Sequence, residues 1–120
     1  MYKGNSYFTS DLTNSFAWDT ALVFIQKCSS KTRYSVQSAS VKTLKNTGTT
    51  TDQVCHIYDM CGNLKEWTTE SATGLDDYSC VPRGDSYAQG GSNNSTSKRV
   101  GARTNADDFN YGFRPILYLK

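Results

Sequence analysis

The sequence predicts an α+β fold, in which one amphipathic helix is followed by several short strands forming an antiparallel sheet. Three observations carry this. Residues 15–28 place apolar side chains at helical spacing. Beyond residue 54 the chain breaks into short apolar runs separated by Gly, Asn, Asp and Pro signals. The aromatic share is 12%, with 8 Tyr, which is too high for a disordered chain even though the hydrophobic share is only 37%. A length of 120 residues reads as a single domain spanning 1–120, either a minimal version or a fragment of a larger protein.

The helix carries Trp18, Ala21, Leu22, Ile25 and Cys28 on one stripe. Asn14 or Ser15 caps its start, Asp19 falls in the first turn and Lys27 in the last. Phe16 and Phe24 lie off the stripe, so the helix is expected to be covered on more than one side. Residues 29–53 are polar, with Tyr34, Val36, Val41 and Leu44 as sparse anchors. They read as a surface excursion with a short strand or helical turn and no chemistry. Strands are expected at 64–70, 79–85, 98–103 and 111–119, with Gly62-Asn63 a turn and Pro82 and Pro115 marking edges or bulges. Met60 and Trp67 are assigned to the core by the alternation around them.

Charge excludes some classes of function. Thirteen basic and 11 acidic residues are well mixed, for a net charge of +2, and no basic stripe points to nucleic acid. No apolar run approaches the ~20 residues of a membrane span, and the first residues lack the apolar core of a signal peptide. The cysteines at 28, 55, 61 and 80 form no CxxC pair, and His56 is the only histidine, which argues against a zinc site. Reduced cysteines are favoured, with a Cys55–Cys80 disulfide as the alternative and Cys61 near the core.

Three pieces occur in a telling order: IYDMCGNLKEW at 57–67, VPRGDSY at 81–87, then Arg99, Arg103 and GFR at 112–114. Together they resemble the formylglycine-generating-enzyme (sulfatase-modifying factor) type of C-type lectin-like domain, over about residues 54–118, and the helix at 15–28 fits that family's early helix. Within the family the chain is most similar to the variable proteins of diversity-generating retroelements from phages and bacteria. In these, an error-prone reverse transcriptase alters adenines in the last segment. The resemblance implies a hypervariable ligand-binding domain on a phage particle or bacterial surface, binding a protein or glycan on a cell or host surface. Tyr87, Gln89, Asn93, Asn94, Thr96, Lys98, Val100, Thr104, Asp107, Asp108, Phe109 and Tyr111 would form the variable face. Such a mixture suits adaptable recognition, with rigid aromatic area and adjustable hydrogen bonds.

The same resemblance assigns Trp67, Arg83, Gly84, Arg99, Arg103, Gly112 and Arg114 to the frame. It also implies no required cofactor, with Asp59, Gly62, Leu64 and Glu66 at the positions of a structural calcium. The competing reading is a hydrogen-bonded turn with Glu66 paired to an Arg. The enzyme subfamily carries two cysteines at positions that match about Gln89 and Asn94 here, and no cysteine follows Cys80. Without a thiolate there is neither nucleophile nor soft metal ligand for that chemistry, so a non-enzyme is expected. A structural or assembly module, or an oxidase of the same fold, are the alternatives. Two departures stand out. Asp85 replaces a Gly of the family's RGGS, and 14 residues before the helix leave little room for an N-terminal strand. The tripeptide Arg83-Gly84-Asp85 falls at a strand end and is not expected to serve adhesion. The sequons at Asn93 and Asn94 read as ordinary polar residues.

Overall fold

The computed structural model describes residues 7–39, 43–49, 51–74, 77–89, 94–105 and 108–119. Strand β1 (Phe8–Leu12) leads into helix α1 (Ser15–Cys28), followed by a 3-10 turn at Tyr34–Val36. Then come β2 (Gln53–Val54), β3 (Ile57–Tyr58), β4 (Lys65–Ser71), β5 (Cys80–Arg83), β6 (Tyr111–Phe113) and β7 (Pro115–Leu119). The α+β class holds. Among the described residues no helix is long and apolar enough to cross a membrane.

Helix α1 forms where the spacing places it. The Asn14 side chain accepts the Ala17 N–H at 2.8 Å, satisfying one free donor of the first turn, and Lys27 sits in the last turn. Trp18, Leu22 and Ile25 are buried and meet Tyr34 and Met60 in the core, with Ala21, Val54, Ile57 and Cys61 packed around them. Each large buried side chain contributes about 1.5–3 kcal/mol. Three expectations about the helix fail. Phe16 is 84% exposed and Phe24 46%, so the helix is covered on one side only. Cys28, at the end of the stripe, is exposed. Asp19 lies beyond the first turn and pairs with arginines rather than serving the dipole. Of the anchors in 29–53 only Tyr34 is buried; Val36 and Leu44 are exposed, and Val41 lies outside the described residues.

The sheets depart from the expected pattern in three places. First, an N-terminal strand is present despite the short lead-in: β1 pairs antiparallel with β7, from Phe8 opposite Leu119 to Leu12 opposite Pro115. Second, the expected strand at 111–119 is cut at Arg114. The Arg114 carbonyl accepts both the N–H and the hydroxyl of Thr13, each at 2.9 Å, while its side chain turns inward. β6 therefore pairs with β4, in parallel, and only β7 continues to β1. Third, the strand expected at 98–103 is reduced to two isolated antiparallel bridges, Arg83 with Arg99 and Cys80 with Ala102. β5 is an edge strand in the order β5-β4-β6, and its pairing to β4 shifts register between Trp67 and Ser71, as Pro82 suggested.

The alternation of β4 also runs opposite to expectation. Glu66 and Thr68 are buried, whereas Trp67 is half-buried on the other face and stacks on Tyr111 with ring centroids 4.8 Å apart. Glu66 is tolerated inside because Arg114 pairs with it, and Thr68 because its hydroxyl donates to the Val81 carbonyl at 2.6 Å. A strand with polar groups facing in satisfies them with partners, and that frees Trp67 for the surface.

Candidate binding face

The face is held by a charged frame. Arg83, fully buried at the end of β5, donates through Nη2 to Asp19 at 2.6 Å and through Nη1 to Glu70 at 3.1 Å and Ser15 at 3.2 Å. Arg99, part-exposed, pairs with the same two carboxylates, by Nε to Glu70 at 2.9 Å and by Nη2 to Asp19. Burial alone would raise the Asp19 carboxyl. The hydrogen bond and charge of Arg83, helped by Arg99, hold it below its usual value. Glu70 behaves alike: burial pushes up, while the Ser15 hydroxyl and both guanidinium groups bring it down. This network ties α1, β4, β5 and residue 99 together across the soft segment.

Gly84 follows directly, at φ +80, where an added Cβ would sit 3.0 Å from the Met60 carbonyl and 3.3 Å from the Trp18 ring. Asp85 and Ser86 are fully buried. The Asp85 carboxylate accepts the backbone N–H of Ser86 at 2.8 Å and of Ala39 at 3.0 Å. The tripeptide is thus sealed in the interior. Gly112 is less constrained: a Cβ there would lie 2.9 Å from Leu64 Cδ1, the end of a flexible side chain that can shift. Arg103 contributes less to the frame than expected: it pairs with Asp77 at 3.5 Å and lies over Tyr78, both exposed.

Six side chains form one connected surface beyond this frame. Lys65 Nζ donates to Gln89 Oε1 at 2.7 Å and lies 5.7 Å from the Tyr111 ring centre. Asn94 Nδ2 donates to the Gln89 carbonyl at 2.8 Å, and Lys98 Nζ to Asn94 Oδ1 at 2.6 Å. Trp67 backs Tyr111. Tyr111 is positioned by the parallel β4–β6 register, opposite Lys65. Burial draws the Lys65 ammonium below its ordinary value, Asp85 opposing and Lys98 adding to the effect.

The other expected face residues distribute differently. Tyr87 is half-buried beside this surface in chain order, its N–H donating to the Asn63 carbonyl. Thr96 does not belong to any binding face. It is fully buried, its N–H and hydroxyl both donate to the Gln37 carbonyl at 2.7 and 3.0 Å, and its carbonyl accepts Trp18 Nε1. Thr104 lies in a separate hollow with Asp77, Ser79, Arg103 and Asn105. Val100, Asp108 and Phe109 are exposed, Phe109 at 90%. Asn93 and Asp107 lie outside the described residues. Lys65 was missed by sequence reading, because only the parallel β4–β6 register brings it opposite Tyr111.

Of the four residues at the calcium positions, Asp59, Leu64 and Glu66 line a cavity of about 40 Å³ together with Asn63, Gly112 and others, and Gly62 is not among its lining. Their donor type suits a hard cation. Glu66, however, already gives both oxygens to Arg114: Oε2 accepts Nε at 2.8 Å and Oε1 accepts Nη2 at 2.7 Å, while Nη2 also donates to the Tyr58 carbonyl. Asp59 Oδ2 accepts the Gly48 N–H at 3.0 Å. Among the described residues no group of three or more His, Cys, Asp or Glu side chains is placed to hold a metal. Glu66 is thus paired to an arginine, Arg114, in this arrangement.

Comparison with protein-family models gives one match that decides the family: the Sulfatase-modifying factor enzyme 1-like domain (FGE-sulfatase) matches residues 2–118. The chain belongs to this family. No curated protein and no solved structure matches it. Membership in the FGE-sulfatase family fits a C-type lectin-like fold.

The four cysteines of this FGE-sulfatase domain are unpaired. Cys61 is pushed up to about 11, chiefly by burial. A thiol so placed is protonated at neutral pH and makes a poor nucleophile.

Proposed function

We propose that this FGE-sulfatase-family chain is a ligand-binding domain without catalytic activity, diversified by a retroelement over residues ~85–111. Its ligand would be a protein or glycan on a cell or host surface, met from a phage particle or bacterial surface. The observation that carries the reading is that no cysteine follows Cys80, while the resemblance puts the enzyme subfamily's two cysteines at about Gln89 and Asn94. These residues are joined by a hydrogen bond in a polar and aromatic surface. Tyr and Trp give rigid area there, and the amides give adjustable bonds. Arg114 places at Glu66 the positive charge a calcium would bring, so the proposal requires no metal.

The test is the source locus. A reverse transcriptase beside an adenine-rich near-copy of the codons for residues ~85–112 is expected; a locus without either removes the diversification. Oxidation of a cysteine-containing peptide is expected to be absent, and clear turnover would overturn the non-catalytic reading. A second reading, an assembly module, is favoured by one observation. The outward face of the β1–β7 pair carries Leu117 at 59% and Leu119 at 87% exposure, and Phe16 stands out from α1.

A further inference from the structure

We infer that the Lys65–Lys98 face takes an acidic protein surface, one that presents two or more carboxylates beside an apolar or aromatic group. The inference rests on the ligand-binding reading above and names the chemistry of its partner.

The two ammonium groups are held in place without being neutralised. Lys65 Nζ is positioned by the Gln89 amide oxygen and Lys98 Nζ by the Asn94 amide oxygen. A neutral carbonyl orients an ammonium but leaves its charge in place. Among the described residues no carboxylate lies within ion-pair distance of either lysine. The carboxylates that act on Lys65 from further away are engaged elsewhere. Asp85 gives its oxygens to two backbone N–H groups inside the protein, and Asp108 Oδ1 accepts the backbone and side-chain N–H groups of Asn110. By contrast, the frame arginines are each matched to carboxylates. Positive charge is therefore left on a surface that also carries a stacked Trp–Tyr pair.

That combination fits a protein better than a saccharide. Tyr111 is half-buried, with Trp67 stacked on it and Lys65 Nζ 5.7 Å from its ring centre, which leaves less open ring for a pyranose to stack on. Its edge and hydroxyl, with the amides, suit the mixed polar and apolar surface of a protein partner. Opposite charge across such a contact steers association and is weakened by salt.

The experiment titrates the whole chain with a hexaglutamate peptide carrying one central tyrosine, following backbone amide NMR shifts. Shifts are expected to centre on residues 65, 89, 98 and 111. Affinity should fall severalfold between about 0.05 and 0.3 M salt. Lys65→Gln and Lys98→Gln should each weaken binding about threefold, and together about tenfold, as expected for part-exposed charges. Lys98→Gln alone serves if the Lys65 variant loses its fold. The inference is overturned if the peptide does not bind, if binding is unchanged in the double variant, or if a hyaluronate oligosaccharide binds this face more tightly. A hexalysine or uncharged peptide that binds the same face would overturn the charge assignment while leaving the ligand-binding reading standing.

Discussion

Replacing Arg83 with methionine removes the centre of the network that ties α1 to β4 and β5. The wild-type guanidinium is 0% exposed and bonds Asp19, Glu70 and Ser15, with the Trp18 ring 5.8 Å away. Methionine fills most of the volume but leaves both carboxylates short of a partner. Breaking a fully buried ion pair costs about 3–5 kcal/mol. Two features reduce that here. Asp19 is 44% exposed and Glu70 19%, so water screens them, and Arg99 still reaches both. Arg83 Nε is also buried without a partner, a cost the substitution relieves. A loss of about 2–3 kcal/mol is expected, equivalent to a fall in Tm of about 8–12 °C for a domain of this size. Thermal and urea unfolding followed by circular dichroism would measure it. The double variant with Asp19→Asn should lose less than the sum of the two single variants, because the two groups act on each other. A single-variant loss under about 0.5 kcal/mol, the size of an ordinary surface change, would refute the claim that this arginine holds the frame.

Three further outcomes follow from the same geometry. Gly84→Ala forces a left-handed backbone on a residue whose Cβ would press on the Met60 carbonyl and Trp18. It should cost about 1–2 kcal/mol from conformation alone, more with the contact, and a neutral result by urea unfolding would refute the strain. Asp19 and Glu70 have lowered carboxyl values when folded, so they bind protons more weakly folded than unfolded. Their stabilisation is complete above the unfolded carboxylate range near ~4 and is lost as pH falls through the lower folded values. Asp19→Asn with Glu70→Gln should therefore flatten the acid limb of the Tm–pH curve, and an unchanged limb would exclude the network as its source. Finally, adding calcium or a chelator should leave Tm unchanged to within about 2 °C, a shift of under about 0.5 kcal/mol, because Arg114 already occupies Glu66; a larger rise with calcium would overturn that.

Local signals carried the helix well. The Asn14 cap, the Trp18–Leu22–Ile25 stripe and the Gly62-Asn63 turn, both at positive φ, all follow from residue chemistry. What stayed hidden depended on partners far along the chain. An arginine partner for Glu66 is one of the sequence readings, but nothing near it announces that Arg114, 48 residues on, will draw it inside and turn Trp67 outward. The cut at 114 has the same origin, since Thr13 takes its carbonyl from the other end of the molecule. The β2–β3 turn uses Cys55 and His56, both at positive φ, where Asn and Gly are the usual signal, so the hairpin had no readable mark. Of the side chains the structure brings together, Gln89, Asn94, Lys98 and Tyr111 stand in the segment the resemblance singled out. Lys65 came from a neighbouring strand through a parallel register that local patterning does not encode. Thr96 looked like its polar neighbours, and only the fold distinguishes it.

Thr96 has a consequence for the genetics of the proposed diversification. Every threonine codon begins with adenine, so a process directed at adenines places this buried anchor within its reach. Changing that first base yields serine, alanine or proline. Serine keeps both donors to Gln37, alanine loses the hydroxyl, and proline loses the N–H as well. A template repeat that carries adenine at this codon would spend part of every generation on chains that cannot close the segment. The yield of folded variants would then be lowered at that codon, unless the template has come to spare it.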